Sequence, residues 1–315
     1  MTRSSIPVDV LNPGQVFAAL GFLEAADVLC SRAWGGFDWA DEADVRFVLE
    51  AEGSRNPFEV VLGFLAAAEV RRIAPSGYTD PPPMKSKKKV TRRDKEEAWS
   101  EDLVYVNWFP TQEADRMTLP VRLIGGGKSL DLTHWTDGSS RNDFKLYAGN
   151  RSAASIAKAM VMGTREKPRE GQKAGEPKTK GTRTLWEEDS AGLAASPFGV
   201  LTPMGGSFNL DARGAWTALD AGYSPNDQKH GIASSPVVEL LGVIGLEHAR
   251  PIVNKDVGGG VLVRYSVWGA PVPVLLARAA LSASNFGVPL RVFTFLLDFS
   301  GKNKIVTFSE EEISS

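Results

Sequence analysis

KSLDLTHWTDGSSRNDFKLYAGNRSAASIAKAMVMG, residues 128–163, decides how the chain is read. Leu130, Leu132 and His134 alternate with Asp131, Thr133 and Trp135, the two-residue period of a half-buried strand. TDGSSRND follows, rich in turn formers, and reads as a loop. Phe144 to Tyr147 reads as a second short strand, ending at Ala148-Gly149-Asn150. Ser152 then caps a helix in which Ala153, Ile156, Ala157 and Met160 recur at helical spacing.

This arrangement suggests chemistry. Asn150 and Arg151 precede a helix start, where free backbone N–H groups, a cap hydroxyl and a guanidinium favour phosphate or carboxylate. Arg141 and Lys145 belong to the same stretch, and Lys158 lies further along the helix. The same spacing also serves an ordinary strand–turn–helix with a solvated polar rim, since most helix starts bind nothing.

Working outward, 315 residues fit one large domain or two modest ones. The expected division is 1–184, with basic insertions near 78–100 and 164–183, and 185–315, which can belong to the same domain. A formal net charge of -2 argues against a uniformly basic nucleic-acid coat, although charge can still be segregated. Cys30, the one cysteine, excludes an internal disulfide and a cysteine-rich zinc site, and reads as a small core residue late in an amphipathic helix. His134, His230 and His248 stand far apart, without a local metal or triad signature, so no cofactor and no catalytic residue are assigned. The N-terminus lacks an apolar signal core and no run approaches membrane-spanning length, so the expectation is a cytoplasmic protein with no membrane contact.

Before the opening stretch, Asn12 caps a helix with Pro13 in its first position and Gln15 placed to reach back, as in a capping box. Val16, Ala19, Leu20, Leu23 and Ala26 form an apolar stripe opposite Glu24 and Asp27. Gly35-Gly36 reads as a connection, Val45 to Ala51 as an alternating strand, and Asn56-Pro57 as a second helix start. The opening unit is therefore expected to run helix, strand, helix. Residues 78–100 break the pattern: Pro81-Pro82-Pro83 precedes Lys85, Lys87, Lys88, Lys89, Arg92 and Arg93, a run that has little apolar surface to bury. It can lie along a phosphate backbone and release counterions, or be a solvated loop.

Strands resume at Leu103 to Phe109 and Met117 to Ile124. Gly125-Gly126-Gly127-Lys128-Ser129 resembles the end of a G-x-x-x-x-G-K-[ST] nucleotide loop. The first glycine position is Arg122, however, and a strand follows instead of a helix, so that reading is rejected. Residues 164–183 form a second basic segment of mobile composition, carrying Arg165, Lys167, Arg169, Lys173, Lys178, Lys180 and Arg183. Beyond Leu185 a helix starts at Ser235-Pro236, Val261 to Val267 alternate as a strand, and a Pro271/Pro273 step leads into LLARAALSA. The chain ends in a hairpin, Leu290 to Phe299 and Lys304 to Phe308. Helices and strands mix without βαβ alternation, which predicts an α+β fold with a largely antiparallel sheet.

NPGQVFAALGFLEAAD, DFKLYAGNRS, ALDAGYSPND and YSVWGAPVPVLLARAA together resemble a CRISPR-associated family: the small version of the Cascade large subunit in type I-U (I-G) systems. The resemblance runs through most of the chain and thins in the two basic segments. It implies a subunit with no chemistry of its own, at the foot of a crRNA-guided complex. Its partners would be the backbone and crRNA-processing subunits, the crRNA, target double-stranded DNA and the helicase-nuclease. Its role would be PAM recognition next to the guide-paired region, while guide pairing supplies most of the specificity.

The residues themselves nominate a nucleic-acid surface. Lys85, Lys87, Lys88, Lys89, Arg92, Arg93, Lys128, Arg141, Lys145, Arg151, Ser152 and Lys158 would meet the backbone, and Asn142 and Asn150 base edges. Two alternatives stand beside it. Asp131, Asp143 and Lys145 loosely match the two-carboxylate-plus-lysine pattern of a Mg²⁺-dependent nuclease. A purely structural protein-interaction module, with the basic segments as linkers, also fits.

Overall fold

The structure, a computed structural model, describes residues 1–80, 102–110, 114–135, 144–147, 151–166, 175, 177–204, 206–214, 233–257, 260–300 and 303–312. A strand that the sequence hides, β1 (Thr2–Pro7), precedes the first helix, α1 (Pro13–Cys30). TRSSIP buries fully only Ile6 among its side chains, so it shows no apolar alternation. β2 (Ala33–Asp38) and β3 (Arg46–Ala51) follow, and β3 lies antiparallel between β1 and β2. The opening is thus strand, helix, strand, strand, a split βαβ unit, and not the expected helix, strand, helix.

Gly35 and Gly36 sit inside β2, not in a connection. A Cβ on Gly36 would lie 2.2 Å from the Ala270 carbonyl oxygen, so this strand position admits no side chain.

Asn12 caps α1 by accepting from the Gly14 N–H at 3.1 Å, and Gln15 reaches past the cap to the Asp9 N–H at 2.9 Å. The helix is buried on every side from Pro13 to Ala26, so it is a core helix and not the amphipathic one expected. At 18 residues it is also long and apolar enough to cross a membrane, against the expectation that no run approaches that length, yet most of it lies inside the protein.

α2 (Pro57–Ala67), capped by Asn56, leads into β4 (Glu69–Pro75). With β5 (Leu103–Val106), β6 (Val121–Gly125) and β7 (Lys128–Leu132) it makes a second sheet in the order β5-β4-β6-β7, parallel only between β4 and β5. Gly126 and Gly127, at φ 56° and 75°, form the two-residue turn between β6 and β7. Two successive residues in the left-handed region make a type I′ hairpin turn, which is what the GGGK run encodes.

β7 ends at Leu132, earlier than the alternation implied, and the chain turns so that His134 and Trp135 are both buried. Phe144–Tyr147 is not a strand. Its carbonyls take isolated bonds, Leu146 from the Lys304 N–H at 3.1 Å and Phe144 from the His134 ring at 3.1 Å.

Ser152 caps α3 (Ala153–Met162) as expected. The segment read as mobile is ordered at both ends: β8 (Thr164–Arg165) pairs with β9 (Pro177–Thr179), and α4 (Thr182–Glu188) starts at once. Arg183 donates to the Ala66 and Ala68 carbonyls at 2.7 and 3.1 Å, tying α4 to the end of α2. Residues 167–174 and 176 lie outside the described residues.

α5 (Ser190–Ala195), the short pair β10 (Thr202–Pro203) and β11 (Ala233–Ser234), and α6 (Pro236–Gly245) follow. α6 is buried along its whole length and meets α1 backbone to backbone: a Cβ on Gly21 would lie 1.9 Å from the Leu241 oxygen. The third sheet orders β12 (Ile252–Val257), β13 (Gly260–Trp268), β15 (Leu290–Ser300) and β16 (Asn303–Val306), with β17 (Glu310–Glu311) also on β15. Between them, β14 (Val272–Pro273) joins the first sheet beside β2, and α7 (Val274–Leu281) follows.

Val263, Tyr265, Val267, Phe293, Phe295 and Leu297 form the buried face of the third sheet, and Tyr265 and Phe17 of α1 meet edge to face at 5.7 Å. Core residues from both sides of position 185 belong to one cluster around α1. The architecture is α+β with mostly antiparallel sheets, as the sequence predicts.

Candidate functional site

β6 and β7 form one wall of a cleft of about 620 Å³, with the last turns of α1 and α6 opposite. Arg122, Leu130 and Asp131 come from the strands, Glu24 and Val28 from α1, and Ile244 from α6. Thr133 and His134 continue from β7, while Glu247, His248 and Arg250 follow α6. Val106, Trp108 and Pro110 close the other side. Trp108 is 79% exposed, the most exposed large apolar side chain described. Its size and its mix of apolar walls with convergent polar groups are those of a ligand site.

Two arginine–carboxylate pairs border the cleft, and Arg250 donates to the His134 carbonyl. Arg122 donates to both Asp131 oxygens, at 2.7 and 2.8 Å, and Arg278 to both Glu24 oxygens, at 2.6 and 2.7 Å. Glu247 accepts from the Thr133 N–H at 2.6 Å and from the Thr133 hydroxyl. Burial pushes the Glu247 carboxyl up to about 7, Asp131 adding to the rise while Thr133 and Arg250 oppose it. Near neutrality this group therefore exists in both protonation states, the behaviour expected of functional acids. Burial, with the Arg250 charge nearby, pulls His134 down to about 3, so its ring is neutral. The Phe144 carbonyl can only accept, so Nε2 carries the proton of that ring.

A second polar cluster joins the starts of the two core helices. The Asn12 side chain donates to Asp211 at 2.9 Å, and Asp211 accepts from the Ser235 N–H at 2.9 Å and from Arg213. Glu239 accepts from the Asp211 and Leu210 N–H groups at 3.0 and 3.2 Å. Every polar group named in this cluster has a partner inside the protein, and Arg213 at its edge also lines a second pocket with Gln15 and Phe198. Its work is to lock α1 and α6 together at their N-termini.

The sequence-nominated residues separate into several settings. Lys128 donates to the Val28 carbonyl at 2.7 Å, placing a cation on the C-terminal turns of α1. Lys145 is half-buried, with its ammonium 4.5 Å from the Tyr147 ring centre; desolvation pulls its pKa down, opposed by Asp115. Arg151 is exposed and lies against Gly206, where a Cβ would come within 2.4 Å of its guanidinium. Ser152 accepts from the Ser155 N–H at 3.2 Å, and the Ala153 N–H goes to the Met117 carbonyl at 3.1 Å. Two amides of the supposed anion site are thus spent within the protein, on residues that are buried or half-buried.

Lys158 pairs with Asp102. Asp131, the first carboxylate of the nuclease pattern, is held by Arg122. Lys85, Lys87, Lys88, Lys89, Arg92, Arg93, Arg141, Asn142, Asp143 and Asn150 lie outside the described residues. Among the described residues, no group of three His, Cys, Asp or Glu side chains is placed to hold a metal ion.

No protein-family model matches the chain, and no curated protein or solved structure matches it. The cleft therefore stands on its own residues. Sequence reading missed Trp108, Glu247 and Arg250 as a group because Trp108 lies more than a hundred residues before the other two. The one local signal was an aromatic pair beside a proline, Trp108-Phe109-Pro110, at the end of a strand.

Proposed function

We propose that this chain is a non-catalytic subunit of a crRNA-guided CRISPR surveillance complex, contacting target DNA beside the guide-paired region, with roles in PAM recognition and in recruiting the helicase-nuclease. The observation that carries the reading is the set of segments resembling the type I-U large subunit. Two of them become the frame of the fold: NPGQVFAALGFLEAAD is α1, and YSVWGAPVPVLLARAA is β13 through α7. They also fasten to one another, Arg278 on Glu24, and Trp268 of the second segment holds β2 through its indole N–H on the Gly35 carbonyl at 2.7 Å. The resemblance thus falls on residues that set the architecture. The Lys85–Arg93 run supplies the charge for backbone contact.

The test is co-expression with the neighbouring gene products and a crRNA, followed by binding to duplexes with varied flanks. The expected result is a stable ribonucleoprotein whose DNA binding needs this chain and a short flanking element. A chain that purifies alone and ignores nucleic acid overturns the proposal.

A further inference from the structure

The cleft between β6–β7 and the ends of α1 and α6 includes Glu24, which Arg278 holds, and the rest of its chemistry points to a ligand of one kind. Each carboxylate in it already has a partner: Asp131 with Arg122, Glu24 with Arg278, Glu247 with Thr133. Arg122 and Arg278 are each held by a carboxylate and Arg250 donates to the His134 carbonyl, so a phosphate would have to break one of these contacts and the site favours a group without net charge. Val28, Val106, Leu130 and Ile244 give it apolar surface, and the open indole of Trp108 offers a flat face at its edge. The Glu247 carboxyl, which lines the same cleft, keeps acceptor capacity beyond its two bonds to Thr133. A flat, neutral ring with apolar faces and a donor edge satisfies all of these at once. An aliphatic or phenyl side chain would leave the polar wall unmatched.

We propose that the cleft seats one unpaired nucleobase, its ring stacked on Trp108 and an exocyclic amine directed to Glu247. Cytosine, adenine and guanine carry that amine and thymine does not, so the site discriminates between them; carboxylates pair with the cytosine amine in the same way elsewhere. The proposal rests on the nucleic-acid reading above and names what this part of the subunit takes: a base out of its stack, as arises where a duplex is opened. Trp108 supplies sequence-tolerant stacking, and Glu247 the preference.

The full chain is titrated against labelled single strands about 12 nucleotides long: oligo-dC, oligo-dT and an abasic strand with the same number of phosphates. Oligo-dC is expected to bind about tenfold more tightly than oligo-dT, and the abasic strand most weakly. Trp108→Ala, at a position exposed enough to leave the fold intact, is expected to weaken oligo-dC about tenfold and leave the abasic strand unchanged. Equal affinity for oligo-dC and the abasic strand, or no effect of Trp108→Ala on oligo-dC, overturns the cleft proposal. Salt-dependent binding to the abasic strand in that same experiment would leave the subunit reading standing. Failure to bind any strand, together with failure to assemble on the crRNA, would remove both. Loss of complex assembly in Trp108→Ala with unchanged oligo-dC affinity would assign the cleft to a protein side chain and also overturns the proposal.

Discussion

Replacing Glu239 by Gln is expected to change the stability of the protein in opposite directions at acid and alkaline pH. Glu239 is 1% exposed in α6 and accepts from the Leu210 and Asp211 amides. Burial, assisted by the neighbouring Asp211 charge, pushes its carboxyl from 4.5 up to about 7. The folded pKa thus lies above the unfolded one. Below pH 4.5 both states hold the proton and the group is neutral to stability. Between 4.5 and about 7 the unfolded chain has released the proton while the folded one keeps it, so stability falls as pH rises, then levels off.

At 1.36 kcal/mol per pH unit, the full interval amounts to about 3 kcal/mol. Gln cannot ionise but gives up one acceptor, a loss of about 1 kcal/mol at every pH. The variant is therefore expected to be less stable than the parent by about 1 kcal/mol near pH 4, and more stable by about 2 kcal/mol near pH 8. Urea unfolding followed by tryptophan fluorescence measures both. Glu247, which has a similar pKa, is present in both proteins and cancels in the difference. A destabilisation of equal size at both pH values would refute the argument, because it would mean that Glu239 acts only as a hydrogen-bond acceptor.

Gly21→Ala places a methyl within 1.9 Å of the Leu241 oxygen and should destabilise by about 3 kcal/mol or more, read as a lowered thermal midpoint. Gly53→Ala, where φ is 116° and nothing lies within 4 Å, should cost only about 1 kcal/mol of backbone strain. Similar losses at the two sites would disprove the close helix crossing. Arg183→Ala removes two bonds to the end of α2 and should cost about 2 kcal/mol in the same urea assay; an unchanged midpoint would show that the contact contributes nothing. Reversing the charge of Lys87, Lys88 and Lys89 should weaken DNA binding and flatten the plot of log affinity against log salt by about 3. An unaltered slope would take that run off the DNA.

Local grammar was legible wherever a few adjacent residues fix the backbone. Asn12-Pro13, Asn56-Pro57, Ser152 and Ser235-Pro236 each start the helix they signal, because capping needs only a side-chain acceptor within three residues of the free amides. The terminal hairpin was readable for the same reason, whereas Gly126-Gly127 was read only against a nucleotide loop and its turn came from the structure. Reading failed where a neighbour distant in sequence decides. β1 is a strand because β3 pairs with it, and its own residues do not alternate. β2 carries two glycines because Ala270 and Phe47 crowd it. Phe144–Tyr147, apolar enough for a strand, has no strand partner among the described residues.

The candidate site divides along the same line. Positive charge at Lys128, Arg151 and Lys158 was visible in the sequence, but that Lys128 would face a helix end and Lys158 would pair with Asp102 was not. What the sequence alone determined is the α+β class, the helix starts and the basic segments, all set by spacings of a few residues. Only the tertiary structure decided that α1 is enclosed on every side, and that Trp108, Thr133 and Glu247 share a cleft. Burial and convergence depend on which distant surfaces meet, and no local pattern of side chains encodes that meeting.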